Sequence, residues 1–128
     1  MPAPDVYEYA FIRYVPRVER GECINVGVIV FCKRQRYVGV KYHLDPTRIL
    51  ALYPTADLDE LAHYLHTWTL IATGNPDGGR IATLDPAGRF RWLTAARSTI
   101  IQPSQVHPGR TSEPDVVLEE LFGKYVLG

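Results

Sequence analysis

Almost every motif that would declare a function at once is missing from this chain. It contains no Walker loop, no G-x-G-x-x-G run, no C-x-x-C pair and no G-x-S-x-G nucleophile elbow. It also lacks a surplus of charge: fourteen Lys and Arg stand against fourteen Asp and Glu, for a formal net charge of zero. Phosphate contacts drive non-specific nucleic-acid affinity, so such binders normally carry a basic excess. A nucleic-acid partner is therefore disfavoured, and only a local patch such as CKRQRY or RVER would serve one. No apolar run approaches the roughly 18 residues of a membrane helix, and the N-terminus has no charged-then-apolar leader pattern. The expected location is the cytoplasm, with no membrane partner. Cysteine is scarce too. Cys23 and Cys32 fall at opposite ends of one expected strand, which would hold them about 30 Å apart where a disulfide needs about 6 Å. Both are read as small buried hydrophobes rather than a bridge or a metal pair.

What is present is the composition of an ordinary globule, 46% hydrophobic and 22% charged over 128 residues. That length suits one domain spanning 1–128, able to bury about two thirds of its unfolded surface without a metal or disulfide. VYEYAFIRYV (6–15) and CINVGVIVFC (23–32) are apolar at both parities, which predicts strands covered on both faces. The charged, Pro- and Gly-bounded PRVERGE joins them as a hairpin loop. RYVGVKYH alternates and predicts a third strand. Asp45-Pro46 starts a short helix to about Leu52. Asp57 with Glu60 forms a capping-box variant ahead of Leu58, Leu61, Ala62, Leu65, Trp68 and Ala72, and Gly74 closes that helix. RIATLDPAGRFRWLTA is read as a short strand or irregular segment. STIIQ is a further strand, running into a proline-bracketed loop. The last helix is placed after a Ser112-x-x-Asp115 cap, with Val117, Leu118, Leu121, Phe122 and Tyr125 facing inward. Strands first and helices after predict an α+β fold: an antiparallel sheet built on the N-terminal hairpin, packed by two main helices near 57–73 and 112–126.

Three groups of residues carry chemistry. The segment RSTIIQPSQVHPG (97–109) holds Arg97, Ser98, Gln102, Ser104 and His107. A serine within reach of an oriented histidine is a nucleophile and base. The plainer reading is that the serines and Gln102 satisfy backbone groups in an irregular connection. Arg13 lies in an apolar strand and needs a partner, since an unpaired buried charge is costly. Glu8, Glu19 or Glu22 would supply an internal ion pair. Alternatively Arg13, Arg20 and Arg97 form an anion clamp, because the guanidinium fork suits phosphate or carboxylate. Asn25 needs its amide satisfied, and Gly27 beside it admits another backbone or a ligand. His63 and His66 share a helix face but lack H-E-x-x-H and further ligands, so no metal and no cofactor is expected.

The runs YEYAFIRYVPRVERGECINVGVIVF and WLTAARSTIIQPSQVHPG, with the acidic-proline start of the last helix, resemble a family of small bacterial proteins known as domain of unknown function thirty thirty-seven. The residues carrying the likeness are Tyr7, Tyr9, Ala10, Arg13, Val15 and Pro16; then Arg20, Glu22, Asn25, Val26, Gly27 and Val28; then Arg97, Ser98, Gln102, Ser104, His107 and Gly109. The chain departs from the pattern at Gln105, where a proline is usual, and at Glu113-Pro114, where Asp-Pro is usual; the first makes its loop less stiff. Genes of this family often lie beside genes for kinases resembling the toxin HipA, so the resemblance implies a partner and no reaction. The expectation is a non-catalytic accessory domain of a HipA-like kinase. Its polar pocket would be built from Arg13, Arg20, Asn25, Arg97, Ser98, Gln102, Ser104 and His107, and would suit a phosphate-bearing ligand. The alternatives are a small enzyme acting on a phosphate or ester and a nucleic-acid module.

Overall fold

In a computed structural model, which describes residues 3–128, the chain forms a five-stranded antiparallel sheet and four α-helices, an α+β fold. β1 (Asp5–Tyr14) pairs with β2 (Ile24–Cys32), and β2 pairs with β3 (Tyr37–Tyr42). The other side of β1 is shared by two short strands. β4 (Ile101–Pro103) lies along its second half and β5 (His107–Thr111) along its first.

Period-two alternation on β1 divides the interior in two. Ile12 and Tyr14 face a large core with Ile29 and Phe31, closed by Ile49 of α1 (Pro46–Leu52), by Leu61, Leu65 and Trp68 of α2 (Leu58–Thr73), and by Phe90 and Leu93 of α3 (Pro86–Leu93). Tyr7, Tyr9 and Phe11 face the other way. There Val28 and Val30 meet Leu118, Phe122 and Val126 of α4 (Pro114–Phe122) and the π-helical turn that continues it, Gly123–Leu127. Burying each large side chain contributes about 1.5–3 kcal/mol relative to exposure. The double-sided apolar patterning of β1 and β2 follows from this sandwiching.

The helix starts are written in aspartates. Asp45 accepts from the Thr47 and Arg48 amides and Asp57 from the Glu60 amide. Gly74 ends α2 in the left-handed conformation, at φ 73°.

Five expectations are corrected. Residues 86–93 are helical, not a strand or irregular segment: Asp85 caps α3 through the Gly88 amide at 2.8 Å, with Pro86 in the first turn, the same device as Asp45-Pro46. The strand expected at 98–102 begins only at Ile101, and the proline-bracketed loop after it runs into β5 at His107; an edge strand tolerates Pro108 because one of its sides feeds no ladder. Ser112 does not cap the last helix. Glu113 holds the cap position without a side-chain bond, and its own N–H donates to Thr111 Oγ1 at 3.0 Å. Finally, Cys23 precedes β2 and is exposed, while Cys32 is buried; both are free thiols. In the last turn, Val126 rather than Tyr125 is buried, because the wider π-helical turn carries the inward stripe one residue further.

Candidate functional site

The residues singled out in the sequence do not gather in one pocket. They fall into three groups.

The first is a row across the sheet. Arg13 on β1 lies opposite Asn25 on β2 and opposite Gln102 on β4. The ladder slips between Ile12 and Arg13, so that Val26 is the extra residue of a bulge. That slip turns Asn25 onto the face of Arg13. Arg13 Nε donates to Asn25 Oδ1 at 3.4 Å, and Asn25 Nδ2 donates to the Tyr125 carbonyl at 3.4 Å. Gln102 Nε2 donates to the Thr99 carbonyl at 2.9 Å. Arg13 is thus held by an amide, and the ion pair with Glu8, Glu19 or Glu22 is not formed: Glu8 is gripped by both terminal nitrogens of Arg91 at 2.9 Å, and Glu19 and Glu22 pair with Arg17 and Arg20. The same bond raises the Arg91 pKa above its ordinary value.

His107 belongs to the same face. It lies opposite Tyr9 in the β1–β5 ladder, with ring centroids 5.4 Å apart. Tyr9 is 5.8 Å from Phe11, which meets Tyr125 edge-on at 5.2 Å. An aromatic row therefore leads from His107 to the Arg13–Asn25 pair beside α4. Tyr125 is 44% exposed and His107 is exposed. Ser104 is buried at the sheet edge, where its hydroxyl accepts from the Phe11 amide at 2.8 Å and donates to the Gln105 carbonyl at 3.0 Å.

The second group is Arg97 with exposed Ser98, on the opposite side of the sheet. The Arg97 guanidinium lies between the indoles of Trp68 and Trp92, 4.9 and 4.7 Å from their centroids. Its nitrogens donate to the Trp92 and Ala95 carbonyls at the C-terminus of α3. Burial lowers its pKa, with Tyr64 acting in the other direction. The third is Arg20, exposed in the β1–β2 loop and paired with Glu22, where Arg17, Leu52 and Tyr53 line a pocket of about 160 Å³ with it. A single clamp of Arg13, Arg20 and Arg97 is not formed.

Sequence reasoning turned Tyr125 inward and gave Tyr9 and Phe11, both half-buried against the second core, no part in this row. The spacing of the YEYAF run, every second residue, carried the signal for Tyr9 and Phe11. His63 and His66 are exposed on α2, and among the described residues no three His, Cys, Asp or Glu side chains cluster as metal ligands. Among the same residues no helix is long and apolar enough to cross a membrane.

The family described as protein of unknown function, DUF3037, matches residues 9–126, from within β1 to the last turn. The chain belongs to this family. The DUF3037 match takes in the Arg13–Asn25–Gln102 row, Ser104, His107 and Tyr125. No curated protein and no solved structure matches the chain.

Proposed function

We propose that this DUF3037 protein is a non-catalytic accessory protein that docks a HipA-like kinase through the face formed by Tyr9, Phe11, Arg13, His107 and Tyr125. The observation that carries this reading is the composition and exposure of that face. Aromatic rings and arginine are the side chains that dominate binding energy at protein interfaces. Here they stand in one row at the rim of α4, with Tyr125 and His107 open to solvent. The kinase as partner comes from the gene neighbourhood that the family resemblance implies. Ser104 supports the non-catalytic part of the reading, since its hydroxyl is engaged by the Phe11 amide and the Gln105 carbonyl.

Co-expression of the neighbouring kinase with tagged wild-type protein and with the double variant His107→Ala, Tyr125→Ala tests the proposal. Both side chains are exposed, and circular dichroism of the variant checks that its fold is kept. The kinase is retained by the wild type and lost from the variant. Absence of a complex with the wild type, or equal retention by both, overturns the reading.

A further inference from the structure

The connection between β2 and β3 is Lys33-Arg34-Gln35-Arg36, three cations and no acid in four residues. The Arg36 amide closes the turn on the Lys33 carbonyl at 3.1 Å, and Arg36 itself sits at φ 53°. Among the described residues it is the one non-glycine in the left-handed region. Turn chemistry there favours Gly or Asn, and a long L side chain adds strain that glycine would not. Such strain persists only where the surrounding structure holds a residue in place, and it clusters at ligand-binding sites.

The turn is also tied down. The Gln35 side-chain amide donates to Asp5 at 2.9 Å and to the Ser112 carbonyl at 3.0 Å, joining the turn to the start of β1 and the end of β5. Arg34 Nε stands 3.6 Å from the other Asp5 oxygen. Lys33 and Arg36 of the turn, and Arg110 of β5, make no ion pair among the described residues.

Two hollows share Lys33 in their walls. One of about 570 Å³ is lined by Lys33, Arg34, Arg110 and Asp5. The other, about 140 Å³, is lined by Lys33, Arg36 and Asp85. Four cations face two carboxylates across them, a surplus of two in a chain whose net charge is zero. Asp85 is moreover already committed to the Gly88 amide. A surplus of two, delivered largely by guanidinium forks, matches a multiply charged phosphate better than a single carboxylate.

We propose that this turn binds a ligand carrying two or more linked phosphoryl groups, one phosphoryl group in each hollow, with Lys33 between them. Gln35 acts as a positioning residue that fixes the turn before the ligand arrives, and Lys33, Arg34, Arg36 and Arg110 contact the phosphoryl oxygens. The source of the phosphates is either a free diphosphate-bearing small molecule or the backbone of a nucleic-acid strand. The site lies at the opposite end of the sheet from the Arg13–Asn25 pair, and it stands whether or not a kinase docks there.

Amide chemical shifts read out during titration with inorganic pyrophosphate, inorganic phosphate and a short single-stranded oligonucleotide test the proposal. Wild-type protein, a Lys33→Ala, Arg34→Ala double variant and Arg80→Ala as a control are compared. Pyrophosphate or the oligonucleotide shifts the amides of residues 33–36 and 109–111 at sub-millimolar concentration, and inorganic phosphate binds more weakly. The double variant loses about tenfold or more in affinity, as expected when two charge-assisted contacts go, and Arg80→Ala binds as the wild type does. Tighter binding of the oligonucleotide, with affinity falling steeply as salt rises, assigns the site to a nucleic-acid backbone. Tighter binding of pyrophosphate assigns it to a small molecule. If neither probe shifts these amides, or the double variant binds either probe as well as the wild type, the site does not exist.

Discussion

Ser104 and Phe11 exchange two hydrogen bonds across the sheet edge: the Phe11 amide donates to Ser104 Oγ, and the Ser104 amide donates to the Phe11 carbonyl, each at 2.8 Å. The second edge of β1 passes from β4 to β5 at this point, and the ladder would otherwise leave the Phe11 N–H without an acceptor. The serine hydroxyl takes the place of a strand carbonyl. A buried donor left unsatisfied costs about 1–3 kcal/mol, more than an average hydrogen bond contributes. Ser104→Ala therefore lowers stability by about that amount, seen as a reduced urea midpoint at unchanged slope. A drop well below 1 kcal/mol would show that water reaches the Phe11 amide.

The two indoles around Arg97 make it a packing residue. Stacking on two rings and bonding two carbonyls are separate gains, each about 1 kcal/mol for a partly buried cation. Arg97→Ala costs about 2 kcal/mol or more in chemical denaturation. Arg97→Lys keeps the charge but loses the flat group between the rings, and recovers less than half of that. Both variants shift tryptophan emission to the red as Trp92, already 37% exposed, opens further.

These two residues show where the sequence was legible and where it was not. The hairpin β1–β2, β3, α1 and α2 were readable because their signals are local: apolar runs, Asp45 and Asp57 as caps, Gly74 as a stop. α3 was not, although Asp85-Pro86 repeats the Asp45-Pro46 device, because eight residues offer a stripe of only Phe90 and Leu93 around charged neighbours. β5 was hidden because its pairing comes wholly from β1, about a hundred residues earlier, while Pro108 and Gly109 look like loop chemistry. The row Arg13–Asn25–Gln102 depends on a one-residue bulge at Val26, and the cage of Arg97 on two tryptophans from different helices. Neither is encoded in spacing along the chain.

Gly27 faces backbone rather than ligand. A Cβ there would stand 2.9 Å from the Lys41 carbonyl oxygen and from Ile12 Cδ1, and 3.1 Å from Tyr42 Cβ. The carbonyl belongs to the β2–β3 ladder, where Gly27 lies opposite Tyr42, and cannot retreat without opening it. Gly27→Ala is expected to cost about 1–3 kcal/mol, the range for overpacking a filled core. Denaturant unfolding measures the loss, and exchange of the β3 amides locates it at this ladder.

Tyrosine ionisation is expected to weaken the fold at alkaline pH. Tyr37 has its pKa raised, first by burial and then by Asp115 and Glu119; Tyr14 is raised by burial, then by Tyr53 and Glu60. Below the unfolded value of about 10, both states hold these protons and no stability is at stake. Above it the unfolded chain ionises first, so stability falls as pH rises from there through the higher folded values. Urea midpoints taken from pH 9 upward should decline in this window, and Tyr37→Phe should flatten the decline. An unchanged slope in the variant would assign the loss to other groups.

The strain at Arg36 has a measurable sign. A left-handed L residue costs about 1–2 kcal/mol, and glycine removes that cost. Glycine also gives the unfolded chain more freedom, which returns about 0.5–1 kcal/mol to the unfolded side. The difference leaves Arg36→Gly more stable than the wild type by a few tenths to about 1 kcal/mol, since Arg36 makes no ion pair among the described residues that the change would lose. Thermal unfolding then shows a melting temperature raised by a few degrees, since about 1 kcal/mol corresponds to roughly 4 °C in a chain of this size. A lowered melting temperature would mean that the arginine side chain, not the turn backbone, dominates the energetics of the turn.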